Sequence, residues 1–511
     1  MPGRTTRSAT DAFPRPTRTP PVDLAALAEG RGRLAGPTVA VRGVTAASDR
    51  VRPGDLFAAL PGRNVHGATF AADAVSLGAV AVLTDDAGAA LLAAQVPRLV
   101  VPDVRAALGP VAAQVYGQPS RRLSMLGITG TSGKTTTTFL MRAGLRAAGA
   151  MTGVIGTVAT MIGDETLEAG FTTPEAPDLQ ALLAVMVERG VDTVAMEVSS
   201  HAVAMRRIDG IDFDVAGFTN LSEDHLDFHR DMDDYFAAKL GFVKRATQAV
   251  VVVDDEWGRR AAVESRHNAT TVSTDGEQAG VRALDVHEER DGTTTFWATG
   301  PWGSQRLGCA IPGRYNVANA TLALTMLETQ GVAGDPVAAA IATAQVPGRM
   351  ERVDAGQDFL AVVDYSHKPA AVDGALRALR PLTRGRLIVV LGCGGDRDRG
   401  KRPHMGEIAA RGADVLVVTD DNPRSEDPAT IRRAMLAGAA AVPTGQRGEV
   451  VEIGDRRAAI VDAVERARPG DTVLVAGKGH ETGQEIAGVK QPFDDRVVLR
   501  EALGAPSGAT S

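Results

Sequence analysis

The sequence predicts an α/β protein of three domains: an N-terminal α/β domain, a central parallel-sheet domain with a phosphate loop, and a C-terminal Rossmann-like α/β domain. Three observations predict this. The 511 residues suffice for about three or four cores at ~150 residues each. An apolar strand at Leu123–Ile128 runs into Gly130-Thr131-Ser132-Gly133-Lys134-Thr135 and then a helical pattern over Thr136–Ala148, the strand, loop and helix of a phosphate-binding turn. Strands at Leu387–Leu391, Val415–Thr419 and Thr472–Ala476 each end in a polar or Gly-rich turn, which gathers three turns at the carboxyl edge of one parallel sheet, where ligands bind.

The blocks divide at 1–22, 23–117, 118–345 and 346–511. The first, rich in Arg, Thr and Pro without an apolar stretch, reads as a disordered tail with no secretory signal. The second has short strands and Ala-rich helices, and its Arg52-Pro-Gly-Asp55 turn leads into Leu56-Phe57. In the third, strands at Thr193–Val198, Asp214–Thr219 and Ala249–Val253 alternate with helix-like segments, as a parallel sheet requires. The fourth carries the three crowded turns.

Composition excludes several classes of function. A net charge of -7 without a concentrated basic patch argues against nucleic-acid binding. Two cysteines, Cys309 and Cys393, make neither a disulfide framework nor a zinc site and fit a reduced, cytoplasmic protein. No apolar run is long enough to span a membrane. A monomer acting on small molecules is expected.

The loop from Gly130 to Thr136 carries the strongest chemistry. Its glycines let backbone N–H groups approach phosphate oxygens, while Lys134 supplies charge and Thr135 a hydroxyl for magnesium. The spacing is Gly-x-x-Gly-Lys-Thr, shorter than a strict Walker A, since Ile128 stands where the outer glycine belongs. Glu197-Val-Ser-Ser-His201 ends an apolar strand and points a carboxylate and two hydroxyls at the loop, a place for magnesium. His225, beyond another strand end, is a second candidate ligand. Lys239, in Tyr235-Phe-Ala-Ala-Lys239, reads from periodicity as a helix-surface lysine. In the last block, Gly392-Cys-Gly-Gly-Asp-Arg397-Asp-Arg-Gly-Lys-Arg-Pro403, Asp421-Asn422-Pro423-Arg424 and Gly477-Lys-Gly-His480-Glu481 concentrate groups suited to carboxylate or phosphate capture.

Taken in order, these motifs resemble those of the Mur ligase family. Further carriers are Thr172-Thr-Pro-Glu175, Tyr315-Asn-Val-Ala-Asn319, Pro347-Gly-Arg-Met-Glu351 and Asp364-Tyr-Ser-His367, so the resemblance spans nearly the whole chain after the tail. It implies an ATP-dependent amide ligase that adds diaminopimelate to UDP-N-acetylmuramoyl-L-alanyl-D-glutamate through an acyl phosphate. The second block would bind uridine, the third ATP and the sugar dipeptide, and the fourth the amino acid. By the same resemblance Lys239 is carbamylated by carbon dioxide and joins Thr135, Glu197 and His225 around magnesium. Asn316 meets adenine, and Arg349 and Asp364 are further nucleotide contacts. Ser48, Thr172, Thr173, Ser199 and Arg207 hold the UDP-sugar dipeptide. Arg397, Asp421, Asn422, Pro423, Arg424, Gly477 and Glu481 receive diaminopimelate, its far carboxylate on Arg424.

The sequence departs from the family pattern in three places. Ala47-Ser48-Asp49 replaces the usual Asp-Ser-Arg, Met205 replaces a common Gln, and Ser366 and Lys368 replace Ala and Thr. Rival readings are a lysine-adding homologue, a folylpolyglutamate-synthase-like ligase, and a nucleotide-binding regulator that has lost turnover.

Overall fold

The computed structural model describes residues 14–62, 64–167, 173–224, 226, 228–265, 269–276, 278–289, 292–396 and 398–504. Thr172, His225 and Arg397 lie outside the described residues. Two compact units form, Met1–Ser273 with Leu322–Val337, and Thr274–Thr321 with Ala338–Ser511. By their contacts residues 274–321 group with the second unit.

The first unit opens with β1 (Arg33–Ala35), β2 (Gly43–Thr45), β3 (Asp55–Ala58), β4 (Ala81–Thr84) and β5 (Arg98–Val100), laid out β1-β5-β4-β3-β2. Only β1 runs antiparallel to its neighbour. The expected turn before β3 is present, with Gly54 at φ +91°, a conformation glycine adopts without strain. Helix α1 (Val104–Val115), capped by the Asp103 side chain, buries Leu108, Val111 and Val115 against Leu24, Leu27 and Leu56.

Part of the expected disordered tail requires correction. Arg15 Nη1 donates to both carboxylate oxygens of Asp55, at 2.7 and 2.8 Å, and Thr17 N donates to Glu188 at 3.0 Å. The physical reason is Asp55, only 2% exposed, since a buried carboxylate is retained only where a cation or donors meet it.

The central sheet of this unit comprises β6 (Ser124–Thr129), β7 (Thr152–Ile155), β8 (Thr193–Glu197), β9 (Val215–Phe218), β10 (Gln248–Val252) and β11 (Ala269–Ser273). They run parallel in the order β7-β8-β6-β9-β10-β11. The chain leaves β6 toward one side and returns to its other side with β9, so the strand order reverses at β6 and opens a crevice beyond its carboxyl end. Helix α2 (Lys134–Ala147) starts there, two residues earlier than expected, because Gly133 at φ +89° ends the turn. Its Thr137 and Thr138 hydroxyls donate to the Gly133 and Lys134 carbonyls, both at 2.9 Å.

The second unit begins with an antiparallel meander, β12 (Val281–Glu288), β13 (Thr294–Gly300) and β14 (Gly303–Cys309). Its parallel sheet contains β15 (Leu360–Asp364), β16 (Leu387–Leu391), β17 (Val415–Val418), β18 (Glu449–Glu452) and β19 (Thr472–Ala476), in the order β15-β19-β16-β17-β18. The near-continuous Val, Ile and Leu of β16, β17 and β19 are fully buried, as strands covered on both faces must be. The turns after β19, β16 and β17 therefore lie side by side. Among the described residues no helix is long and apolar enough to cross a membrane.

Candidate active site

In the first unit the phosphate loop is pinned to the strand beside it. Gly130, at φ +144°, presses on Thr219, and a Cβ there would collide with the Thr219 hydroxyl. Thr131 N donates to Asn220 O at 2.9 Å, Ser132 N to Asn220 Oδ1 at 3.1 Å, and the Thr219 hydroxyl to Ser132 O at 2.7 Å. Thr219 and Asn220 were not singled out in sequence. Their signal was only their place after an apolar strand.

Two lysines converge on this loop. Lys134 Nζ donates to Gly130 O at 2.8 Å and Thr131 O at 2.9 Å. Lys239 Nζ donates to the same Gly130 oxygen at 2.7 Å and lies 4.6 Å from the Tyr235 ring centre. The helix-surface reading of Lys239 is thereby corrected: on α5 (Met232–Val243) it shares the buried face with Tyr235, Phe236, Leu240 and Val243 and is 1% exposed. Burial, then the charge of Lys134, holds its ammonium well below the ordinary lysine range.

Opposite them, Glu197 at the end of β8 is 1% exposed. Its Oε1 accepts from the Thr135 hydroxyl at 2.9 Å and Thr157 N at 3.1 Å, and its Oε2 from the Thr157 hydroxyl at 3.0 Å. Thr157 had no distinguishing sequence signal. The oxygen donors of Glu197 and Thr135 suit magnesium, which takes one or two carboxylates and leaves other positions to phosphates and water. No group of three or more His, Cys, Asp or Glu side chains forms a metal cluster among the described residues.

From Glu197 a chain of contacts runs to the expected dipeptide residues. The Thr173 hydroxyl donates to Glu197 O at 3.1 Å, Arg207 Nη1 donates to Thr173 O at 3.1 Å, and Arg207 Nε pairs with Glu175 at 2.9 Å. Glu175 also accepts from Arg105 Nη1 at 2.7 Å. Ser199 caps the short helix Ser200–Ala204, its Oγ accepting from Ala202 N at 3.1 Å. Ser48 starts a 3₁₀ turn beside a cavity of about 230 Å³ that Ala47, Arg50, Arg105, Glu175 and Asp178 line. Arg50 stands 3.5 Å from Asp178, so a guanidinium enters one position after the family's usual arginine.

In the second unit the expected residues occupy two neighbouring places. Asn316 is 1% exposed, its amide donating to Pro312 O at 2.8 Å and accepting from Asn319 at 2.9 Å. Asp364, ending β15, accepts from Met350 N at 2.8 Å and from Ser366 N at 2.9 Å, which fixes the loop carrying Arg349. The guanidinium of Arg349 lies over Tyr365, 4.5 Å from the ring centre.

The second place is the row of turns. Lys478, fully buried and not chosen in sequence, donates to Asn422 Oδ1 at 2.9 Å and Asp421 Oδ1 at 3.3 Å. Asn422 Nδ2 donates to Glu481 at 2.8 Å. Pro423 leads into Arg424 at φ +54°, whose Nη1 donates to Gly395 O at 2.6 Å and whose Nε stands 3.7 Å from Glu485. Gly477, at φ +121°, approaches Asp421 and Arg456. Arg456 is fully buried, pairing with Asp495 through Nε and Nη2 at 2.8 and 2.7 Å and donating to Ala476 O at 3.0 Å.

Three family profiles match along the chain: Mur ligase family, catalytic domain, over residues 40–116; Mur ligase middle domain, over 128–327; and Mur ligase, glutamate ligase domain, over 348–479. A Streptomyces avermitilis protein named UDP-N-acetylmuramoyl-L-alanyl-D-glutamate--2,6-diaminopimelate ligase is 54% identical, covering 97% of this chain and 100% of its own length. The chain belongs to the Mur ligase family. A Corynebacterium glutamicum relative of the same name is 52% identical over 88% of this Mur ligase and 89% of its own length. A solved structure with that name has 32% identity and a TM-score of 0.68, covering 91% of this chain and 95% of its own. The three-domain α/β architecture expected from sequence is that of the family.

Proposed function

We infer that this Mur ligase joins diaminopimelate to UDP-N-acetylmuramoyl-L-alanyl-D-glutamate at the expense of ATP. The named relatives support the substrates. The observation that carries the chemistry is the meeting of Lys134 and Lys239 at the Gly130 carbonyl, in the crevice where Glu197 holds Thr135.

Forming an amide from a carboxylate and an amine in water is uphill, so the carboxylate first attacks the γ-phosphorus of ATP and ADP departs. Two anions must approach. Lys134, unbent from the loop carbonyls, offsets that repulsion, and the loop N–H groups hold the phosphates. The amine then attacks the acyl carbon and phosphate leaves.

Magnesium, held by Thr135 and Glu197 together with His225 and a carbamylated Lys239, would neutralise charge on the phosphate oxygens. The depressed ammonium of Lys239 favours the neutral amine, the form that adds to carbon dioxide and, on losing a proton, becomes an anionic carbamate. Arg207 and Thr173 would hold the dipeptide, and Asn316, Arg349 and Asp364 the nucleoside. Arg424 would take the far carboxylate of diaminopimelate, with Asn422, Glu481 and Arg397 around it. L-Lysine ends instead in an ammonium that leaves this guanidinium unpaired, so rejection is electrostatic.

The test is phosphate release by the purified chain with magnesium, carbon dioxide, ATP and the UDP dipeptide, offered meso- or LL-diaminopimelate, L-lysine or L-glutamate. Turnover with diaminopimelate alone is expected. A preference for lysine or glutamate overturns the substrate assignment, and no ADP with any amine overturns the activity.

A further inference from the structure

The turn that follows β19 has two sides. Glu481 N donates to Lys478 O at 2.9 Å, which makes Lys478–Glu481 one tight turn. Its ends reach the Asp421–Arg424 turn, Lys478 through Asp421 and Asn422, and Glu481 through Asn422. Its corner, Gly479–His480, lies on the loop of Arg349 instead. A Cβ at Gly479 would sit 2.6 Å from Gly348 O and 2.7 Å from Tyr365 Cβ, and one at Gly348 would run into the backbone N of His480. Both glycines have positive φ, +54° at Gly479 and +63° at Gly348. Backbone rests on backbone here, so neither loop shifts without the other.

The side chains repeat this link. The Tyr365 ring lies 4.8 Å from the His480 ring on one side and 4.5 Å from the Arg349 guanidinium on another. The His367 ring packs on it at 4.5 Å. Arg349 Nε and His480 Nδ1 are buried with no hydrogen-bond partner among the described residues, so packing rather than a hydrogen bond holds these two nitrogens. Burial, then the charges of Arg349 and Arg496, pushes His480 down to about 3, and a neutral imidazole stacks beside a guanidinium without repelling it.

We propose that His480 is a positioning residue that couples the grip on the nucleotide to occupation of the amine-donor pocket. It does so by keeping Tyr365 and Arg349 in one stack with the turn that carries Glu481. The proposal rests on the assignment of Arg349 to the nucleotide and of the Asp421–Arg424 turn to the amine donor. An amine donor that tightens Lys478–Glu481 thereby steadies Arg349, and by reciprocity bound nucleotide favours the donor.

The experiment is calorimetric titration of the full chain with ADP, in the absence and presence of saturating diaminopimelate, for the wild type, His480→Ala and His480→Phe. In the wild type diaminopimelate is expected to tighten ADP by about fivefold or more. His480→Ala is expected to weaken ADP and erase that gain, while His480→Phe, which keeps a flat ring on Tyr365, restores both. Diaminopimelate that binds without changing ADP affinity overturns the coupling alone, whereas diaminopimelate that fails to bind overturns it together with the substrate assignment. His480→Ala equal to wild type, or His480→Phe as impaired as His480→Ala, also overturns it. Matching thermal melts of the three proteins separate positioning from folding.

Discussion

Lys134 and Lys239 donate to one and the same oxygen, the carbonyl of Gly130, at 2.8 and 2.7 Å. Burial first, and then the charge of Lys134, holds Lys239 well below its ordinary 10.5. Between the depressed and the ordinary value the unfolded chain binds a proton that the folded chain does not. Stability therefore rises with pH across that window and is lost as pH falls through it. Lys239→Met is expected to flatten this part of the profile of melting temperature against pH while abolishing ligase turnover. An unchanged profile in the variant removes the assignment of a neutral Lys239.

Glu197 gathers three donors, the hydroxyls of Thr135 and Thr157 and the Thr157 N–H. Replacing one carboxylate oxygen by an amide nitrogen sets donor against donor. Glu197→Gln should cost about 1–2 kcal/mol of stability by denaturant unfolding and lower kcat on the order of 100-fold.

Among the described residues the Arg424 guanidinium donates to Gly395 O and stands 3.7 Å from Glu485, leaving guanidinium donors for a ligand carboxylate. Arg424→Ala is expected to lower kcat/KM for diaminopimelate on the order of 100-fold, with ADP affinity within about twofold of wild type. Steady-state kinetics and calorimetry check the two halves, and unchanged diaminopimelate kinetics sink the assignment.

Arg456 and Asp495 are both fully buried and paired through two hydrogen bonds. Arg456→Met strands a buried carboxylate and should cost about 3–5 kcal/mol, most of which Arg456→Met/Asp495→Leu recovers. Urea titrations distinguish the two variants.

Much of this fold is legible in the sequence where a buried strand declares itself as an apolar run. The strands at Leu387–Leu391 and Thr472–Ala476 have the expected bounds, and Leu123–Ile128 is shifted by one residue. The meander over residues 281–309 escaped, because its burial alternates irregularly and is broken by a shift of register after Leu284. Of the site, the phosphate loop and the strand-end acid were visible as local motifs. Periodicity alone leaves Lys239 on the helix surface, because lysine is ordinarily solvated, although its spacing from Tyr235, Phe236 and Val243 puts it on their buried face. Thr157 and Lys478 meet their partners 40 and 56 or 57 positions away, a proximity that only folding creates.

The clasp of Arg15 on Asp55 gives the extreme N-terminus a stake in the fold that its composition conceals. Proteolytic trimming past Pro16 would remove the cation facing a carboxylate that is 2% exposed and leave it with the Arg52 N–H as a donor. The length of the leader is thus a variable in any comparison of heat resistance between shortened and intact protein.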